Sequence, residues 1–442
     1  MKRGFLLNKK ILSLTLVLCL LFVCSGCFFN SKSDGKSSLS TLTEDDKSSY
    51  KDIVSGKEAK NEYYSPLDIK VGYNCLTTDE QRQCYTALAD SVNEISVEET
   101  EGGIYKCKMV TLDNVVLTQS EIRLVIAAYK MDNPLAFWIT DNFGYSNTNG
   151  YTALQLYSYE SPKSLEAMEK KLMKKINAIV KSARSNLDEF DRELYAHNRI
   201  IDTAKYAKDV KVTEDDYLAF TPYGALVNGS AVCEGYAKSF QYLLSRLGIE
   251  CCTITGKGNK ELHMWNAVKI DGLWYYVDCS WDDSKNYSRY DYFNITENQL
   301  TTNHTISGLY SDLTSDEICG SNGNKAANFN IFLPDCYDTS QNYYVKSCPH
   351  VTDIYDEYNE EFTNAVYEAA NNGAEYFHFY IDPLYLDYNN AVDLMFNTGD
   401  YLFFRYVDNV IQMAPNYFID KDNIFIVKKE NLSVVTVKLS YY

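Results

Sequence analysis

Three side chains in the 442-residue sequence could do chemistry together: Cys233, His263 and Asp278. A cysteine attacks a carbonyl carbon as its thiolate, so it needs a setting that favours an anion. Cys233 lies in Asn228-Gly229-Ser230-Ala231-Val232-Cys233-Glu234-Gly235-Tyr236-Ala237, where a polar loop runs into an amphipathic segment. Ser230 reads as a helix N-cap, which would put Cys233 in the first turn. The helix dipole and the unpaired N–H groups there favour negative charge. Gly235 lets another backbone come close. The helix is predicted over 231–247, with Tyr236, Phe240, Leu243, Leu244 and Leu247 on one side and Gly248 as its stop.

A thiolate also needs a proton partner. Asp271-Gly272 is a strong two-residue hairpin signal between strands predicted over 263–270 and 273–278. Counting outward from that turn sets His263 opposite Ser280 and Trp265 opposite Asp278. His263 and Asp278 become diagonal neighbours on one face, within side-chain reach. A carboxylate there can orient the imidazole and stabilise its charged form. The imidazole can hold the thiolate and later protonate a leaving group.

Cys233-Glu234-Gly235-Tyr236-Ala237, His263-Met264-Trp265-Asn266 and Asp278-Cys279-Ser280-Trp281-Asp282, in that order and spacing, resemble the transglutaminase-like superfamily. The resemblance covers roughly residues 190–305. It implies an α+β fold with a papain-like core, in which a cysteine on a helix faces His and Asp on an antiparallel sheet. It implies Cys233 as nucleophile, His263 as base and acid, and Asp278 as the orienting carboxylate. An amide of a protein, peptide or cell-wall substrate would be attacked to give a thioester, with no cofactor. Water as acceptor makes a protease or amidase, an amine makes a transglutaminase, and the sequence leaves both open. The later Tyr292-Phe293-Asn294-Ile295-Thr296 and His304 resemble the tail of bacterial members and receive no chemistry. Beyond the Cys233 backbone N–H, Tyr206 and Tyr223 are oxyanion-donor candidates only as upstream aromatics. The competing reading keeps the fold and drops the chemistry, giving a retired core that serves as a cell-surface binding lipoprotein. A third, a surface protein held by disulfides, would use the thirteen cysteines for pairing.

The rest of the chain must place and position this core. Sixty acidic against 42 basic residues give a net charge of −18, which argues against nucleic acid as a partner. Lys2, Arg3, Lys9 and Lys10 precede an apolar run over 11–23, too short to span a bilayer and fit for a secretion signal. The run ends in Val23-Cys24-Ser25-Gly26-Cys27, which resembles a bacterial lipobox and implies lipidation at Cys27. Residues 1–26 are then a signal peptide and 27–60 a flexible tether. The expected location is the extracellular face of a bacterial cell membrane, lipid-anchored.

Folded units are expected over 61–190 (α+β), 191–310 (the core) and 325–442 (α+β). In the first, helices are predicted over 77–95, 120–130, from Ser161-Pro162 onward and over 187–207, with strands at 105–117 and 153–159. In the last, strands are expected at 342–346 and 376–381, a helix at 358–370 and a terminal hairpin around Glu430-Asn431. No metal site is expected, because no CxxC occurs beyond the signal region and the histidines are scattered. His197, His304, His350 and His378 read as structural or surface residues, and Asp282-Asp283 as a solvated acidic pair.

Overall fold

The computed structural model describes residues 64–442 except 149, 211–215, 285, 322–324, 355–358, 399–400 and 414–415. The signal, Cys27 and the whole tether over 27–60 lie outside the described residues. Among those described, no helix is long and apolar enough to cross a membrane.

The chain is α+β, with three main sheets following one another along the sequence. The first comprises β1 (Ile95–Glu99), β2 (Tyr105–Cys107), β3 (Val110–Leu112), β4 (Ile139–Thr148) and β5 (Tyr151–Ser158). β5 pairs antiparallel with β2, β3 and β4. A short parallel pair follows, β6 (Lys205–Tyr206) with β7 (Ser230–Ala231). The central sheet runs β10-β9-β8-β11 and is antiparallel throughout, built from β8 (Glu250–Gly258), β9 (Glu261–Ile270), β10 (Leu273–Val277) and β11 (His304–Ile306). The last sheet runs β12-β13-β15-β14, from β12 (His350–Val351), β13 (Tyr376–Ile381), β14 (Phe425–Lys429) and β15 (Val434–Lys438).

The helices start where capping chemistry allows. Thr78 caps Asp79–Ser91 through a capping box with Gln81, so the helix predicted over 77–95 is shorter and Ile95 opens β1 instead. Ser161 caps Pro162–Ser182, with proline at a first-turn position where its missing N–H costs nothing. Asp188 caps Glu189–Thr203. Residues 342–346, expected as a strand, form the helix Tyr343–Ser347, because the Asn342 side chain accepts from the Tyr344 N–H. β4 and the helices Tyr388–Phe396 and Leu402–Gln412 had no sequence-based expectation. β4 exposes most of its length and carries too little alternation to be read as a strand.

The central sheet is buried on both faces. Val268 and Ile270 of β9 pack with Phe240, Leu243 and Leu244 of the helix Cys233–Arg246, in a core that continues into the first sheet through Leu154 and Leu156. Trp265 and Ala267 belong to the other cluster, with Tyr344, Tyr380 and Val434. Phe240, Leu243 and Leu244 are fully buried, each contributing about 1.5–3 kcal/mol. That outweighs the roughly 1 kcal/mol of an N-cap. Tertiary packing therefore holds the cysteine-bearing helix without one: Val232 at the cap position makes no side-chain cap bond. The expectation that Ser230 caps this helix is corrected. Ser230 pairs with Lys205 in β7, and the Val232 N–H donates to the Ala219 carbonyl.

Candidate active site

Cys233 is the first residue of its helix. Gly235 allows the close packing there: a Cβ on it would lie 2.8 Å from the Ala219 oxygen and 2.8 Å from the Ala231 Cβ. Asn266 ties helix to sheet, donating from Nδ2 to the Ala237 oxygen at 3.0 Å while fully buried.

The hairpin around Asp271-Gly272 has the expected register, Leu273 with Ile270 through Val277 with Asn266, and both turn residues have positive φ. The ladder ends at Val277. The Asp278 N–H donates instead to the Tyr292 oxygen, and Asp278 becomes the N-cap of the short helix Cys279–Asp282. The ladder pairs foreseen for Trp265 with Asp278 and His263 with Ser280 therefore do not form, because the chain leaves the strand to cap a helix. The diagonal contact forms all the same: His263 Nε2 lies 2.6 Å from Asp278 Oδ2.

His263 is also hydrogen-bonded to the Cys233 side chain, which engages the ring on both sides. Burial works against its charge, but Asp278 and the Cys233 contact outweigh that and raise its pKa to about 10. Burial would raise the Asp278 pKa; the His263 charge and hydrogen bonds overcome that and hold it below the usual carboxylate range. Asp278 Oδ1 accepts from the Ser280 N–H (2.9 Å), the Ser280 hydroxyl (2.7 Å) and the Trp281 N–H (3.1 Å). Trp281 covers the site, 5.8 Å from the His263 ring and 4.3 Å from the His304 ring between centroids. Gly258 leaves room for this, since a Cβ there would sit 2.9 Å from Trp281 and 3.3 Å from His263.

Two further residues reach the site. The Tyr206 hydroxyl, on β6, hydrogen-bonds both the backbone and the side chain of Cys233, and burial followed by the Cys233 and Asp278 charges pushes its pKa up. Tyr223, the other aromatic considered, is buried against Phe137 instead. His304, read from sequence as structural or surface, lies with Nε2 3.3 Å from Asp278 Oδ2. The resemblance marked it only as part of the tail, without chemistry; β11 brings it in by pairing His304 with Gly258 on the far edge of β8.

His263, Asp278 and His304 place donor atoms within 4.8 Å of one another, a set that could hold a metal ion, where no metal was expected. An ion with bonds near ~2 Å would have to replace the proton between His263 and Asp278. His197, His350 and His378 bond Asp282, the Val345 oxygen and Thr436. Asp282 is fully buried rather than solvated, and Asp283 accepts from the Tyr236 hydroxyl. Every described cysteine is a free thiol, Cys251 and Cys252 included, which leaves the disulfide-held reading without support.

A family model for the transglutaminase-like superfamily matches residues 176–279, from the helix before the site to the residue after Asp278. The chain carries a transglutaminase-like domain. This superfamily is related to cysteine proteases. Kyphoscoliosis peptidase of Homo sapiens and that of Mus musculus are each 34% identical to this chain over 80 residues, 15% of this chain and 12% of theirs. The chain thus spans about an eighth of the length of the curated relatives it matches. Among solved structures, a TGase is 16% identical with a TM-score of 0.24, over 40% of this chain and 52% of that one. A candidate cysteine protease from Cytophaga hutchinsonii is 13% identical with a TM-score of 0.20, over 42% and 69%. Likenesses that loose carry no weight here. The transglutaminase-like domain holds the cysteine helix and both strands of the Asp271-Gly272 hairpin.

Proposed function

We propose that the protein is a surface-anchored thiol enzyme that attacks an amide bond through Cys233, His263 and Asp278. The observation that carries this reading is the buried 2.6 Å His263–Asp278 contact, with the same imidazole hydrogen-bonded to a cysteine at a helix start. The Cys233 thiolate adds to the amide carbonyl carbon. The oxyanion forms between the Cys233 N–H and the Tyr206 O–H, which hydrogen-bond each other before substrate enters. The C–N bond breaks as His263 gives its proton to the leaving nitrogen, and a thioester remains. Water or a primary amine then attacks the thioester carbonyl, His263 takes its proton, and the thiolate leaves. Asp278 keeps the imidazole oriented and its charge balanced throughout. A protein, peptide or cell-wall amide fits this chemistry, without a cofactor.

Alkylation kinetics with iodoacetamide test the reading. Cys233 should react faster than the other nine described thiols, most of which are buried, and faster than a free cysteine at pH 6. Cys233→Ala should abolish turnover of amide substrates. A Cys233 no more reactive than Cys75, with no amide turned over, would refute it. Anchoring through Cys27 rests on the Ser25-Gly26-Cys27 motif behind the apolar run. Labelled fatty acid should enter the wild-type chain and not Cys27→Ala; equal labelling of both rejects that part.

A further inference from the structure

Asp278 Oδ2 is shared. His263 Nε2 lies 2.6 Å from it and His304 Nε2 3.3 Å, while three other donors occupy Oδ1. His304 is not free to turn away. Its backbone is pinned to Gly258 in the β11–β8 ladder, and its Nδ1 lies 2.6 Å from Asn303 Oδ1. Asn303 Nδ2 donates to the Tyr292 hydroxyl at 2.6 Å, and the Tyr292 N–H donates to Asp282 Oδ1 at 2.9 Å. The side chain is fully buried. Because Asn303 gives its N–H to Tyr292, its Oδ1 accepts from His304 Nδ1, so the ring bridges two acceptor oxygens and donates on both nitrogens, with Nε2 on the oxygen that already holds the His263 proton.

We propose that His304 is a positioning residue that divides the Asp278 Oδ2 charge with His263 and so limits how tightly the carboxylate holds the His263 proton. This rests on the thiol-enzyme reading above. A carboxylate oxygen with two donors gives each less than it would give one alone. His263 must hold its proton to pair with the thiolate, then surrender it to the leaving nitrogen. With Asp278 as undivided partner the imidazolium is too stable to release it readily. The ionisable groups facing this centre are Cys233 from the helix start, Tyr206 from β6, Tyr292 from the loop before β11, and Asp282 with His197 behind Asp278. None of these shares the Asp278 Oδ2 acceptor with His263, whereas His304 does.

The test is the pH profile of inactivation of the full-length protein by iodoacetate. This anionic reagent is drawn to the imidazolium, so its rate falls at alkaline pH as His263 loses its proton. His304→Phe fills the ring volume without a donor and should move that limb up by roughly half a unit to one unit. His304→Gln restores a neutral donor and should return the limb toward wild type. If the phenylalanine variant does not fold, His304→Met supplies a pliable side chain with no N–H. A limb that stays put, or moves down, in a folded donorless variant overturns the proposal. A wild-type Cys233 with no enhanced reactivity at any pH instead overturns the thiol-enzyme reading, and this inference falls with it.

Discussion

Two buried histidine–aspartate pairs sit four residues apart along one short helix, and they are opposites. Asp278 holds His263, and Asp282 holds His197 Nε2 at 3.0 Å. Both contacts are sealed from solvent, yet the first pair is charged and the second neutral. Burial, then the Arg289 charge, pushes His197 down to about 3. Burial, then the Asp291 charge, pushes Asp282 well above the carboxylate range. Asp282 therefore keeps its proton and donates it to His197. The difference lies in what else each partner touches. Asp278 has five donors on its two oxygens, and His263 has the Cys233 thiol on its other side. Asp282 accepts one backbone N–H, and the further partner of His197 is the neutral side chain of Asn198 rather than an anion. A buried pair is ionic where further hydrogen bonds and a counter-charge offset desolvation, and neutral where they do not. Only the first kind can run acid–base chemistry near neutral pH.

The largest expected effect comes from removing charge from each aspartate in turn. Asp278→Asn keeps the shape but leaves His263 without a carboxylate, so kcat should fall on the order of 10³- to 10⁴-fold. Asp282→Asn replaces a group that is already protonated. Its amide can donate to His197 and accept from Tyr292, so activity should stay within about threefold of wild type and stability should change by less than ~1 kcal/mol. Steady-state kinetics and urea titration on both variants decide it. Comparable losses of activity in the two would mean that Asp282 is charged after all and that the contrast is false.

How far the sequence reveals these two pairs differs in the same way. Cys233, His263 and Asp278 were legible because a helix start, a two-residue turn and strand alternation are local rules, and the turn at Asp271-Gly272 fixed the register. The role of His304 was not, because it arrives on a short strand whose pairing is set by tertiary contacts, β11 on β8, and Tyr206 was legible only as one of two upstream aromatics until the pairing of β6 with β7 separated it from Tyr223. Asp282 was misread as solvated for a related reason. Whether an acidic residue is buried depends on the helix Glu189–Thr203 lying over it, and nothing in Asp282-Asp283 itself records that. The C-terminal strand at 376–381 was found with its bounds, whereas its neighbour helices, Tyr388–Phe396 and Leu402–Gln412, were not assigned at all.

The pairs should also separate in how stability depends on pH. The His197 pKa is below its unfolded value of about 6.5, so the unfolded chain binds more protons between there and about 3. Stability from this group is full above about 6.5 and is lost as pH falls toward about 3. His263 has the reverse sign: with its pKa raised to about 10, its contribution is full below about 6.5 and is lost as pH rises through about 10. His197→Gln should flatten the acid limb of stability against pH and leave the alkaline limb alone. Denaturant titrations from pH 4 to 10 measure this, and an acid limb as steep as wild type would show that His197 is not the group responsible.

The smallest effect is expected at Glu193, whose fully buried carboxyl faces Asn294 Nδ2 at 2.7 Å from the helix that also carries His197. Burial, only partly offset by that hydrogen bond and the Lys346 charge, raises its pKa to about 8. The folded state then binds the proton more tightly than the unfolded one, so this contribution is full below the unfolded value near 4.3 and is lost as pH rises through about 8. Glu193→Gln mimics the protonated form. It should match wild type within about 1 kcal/mol at pH 5 and exceed it at pH 8.5, where wild type must ionise a buried acid or unfold. Equal stability at both pH values would mean that Glu193 is ionised inside the fold. The rule drawn from the two aspartates, that a buried acid with few donors stays neutral, would then fail in its simplest case.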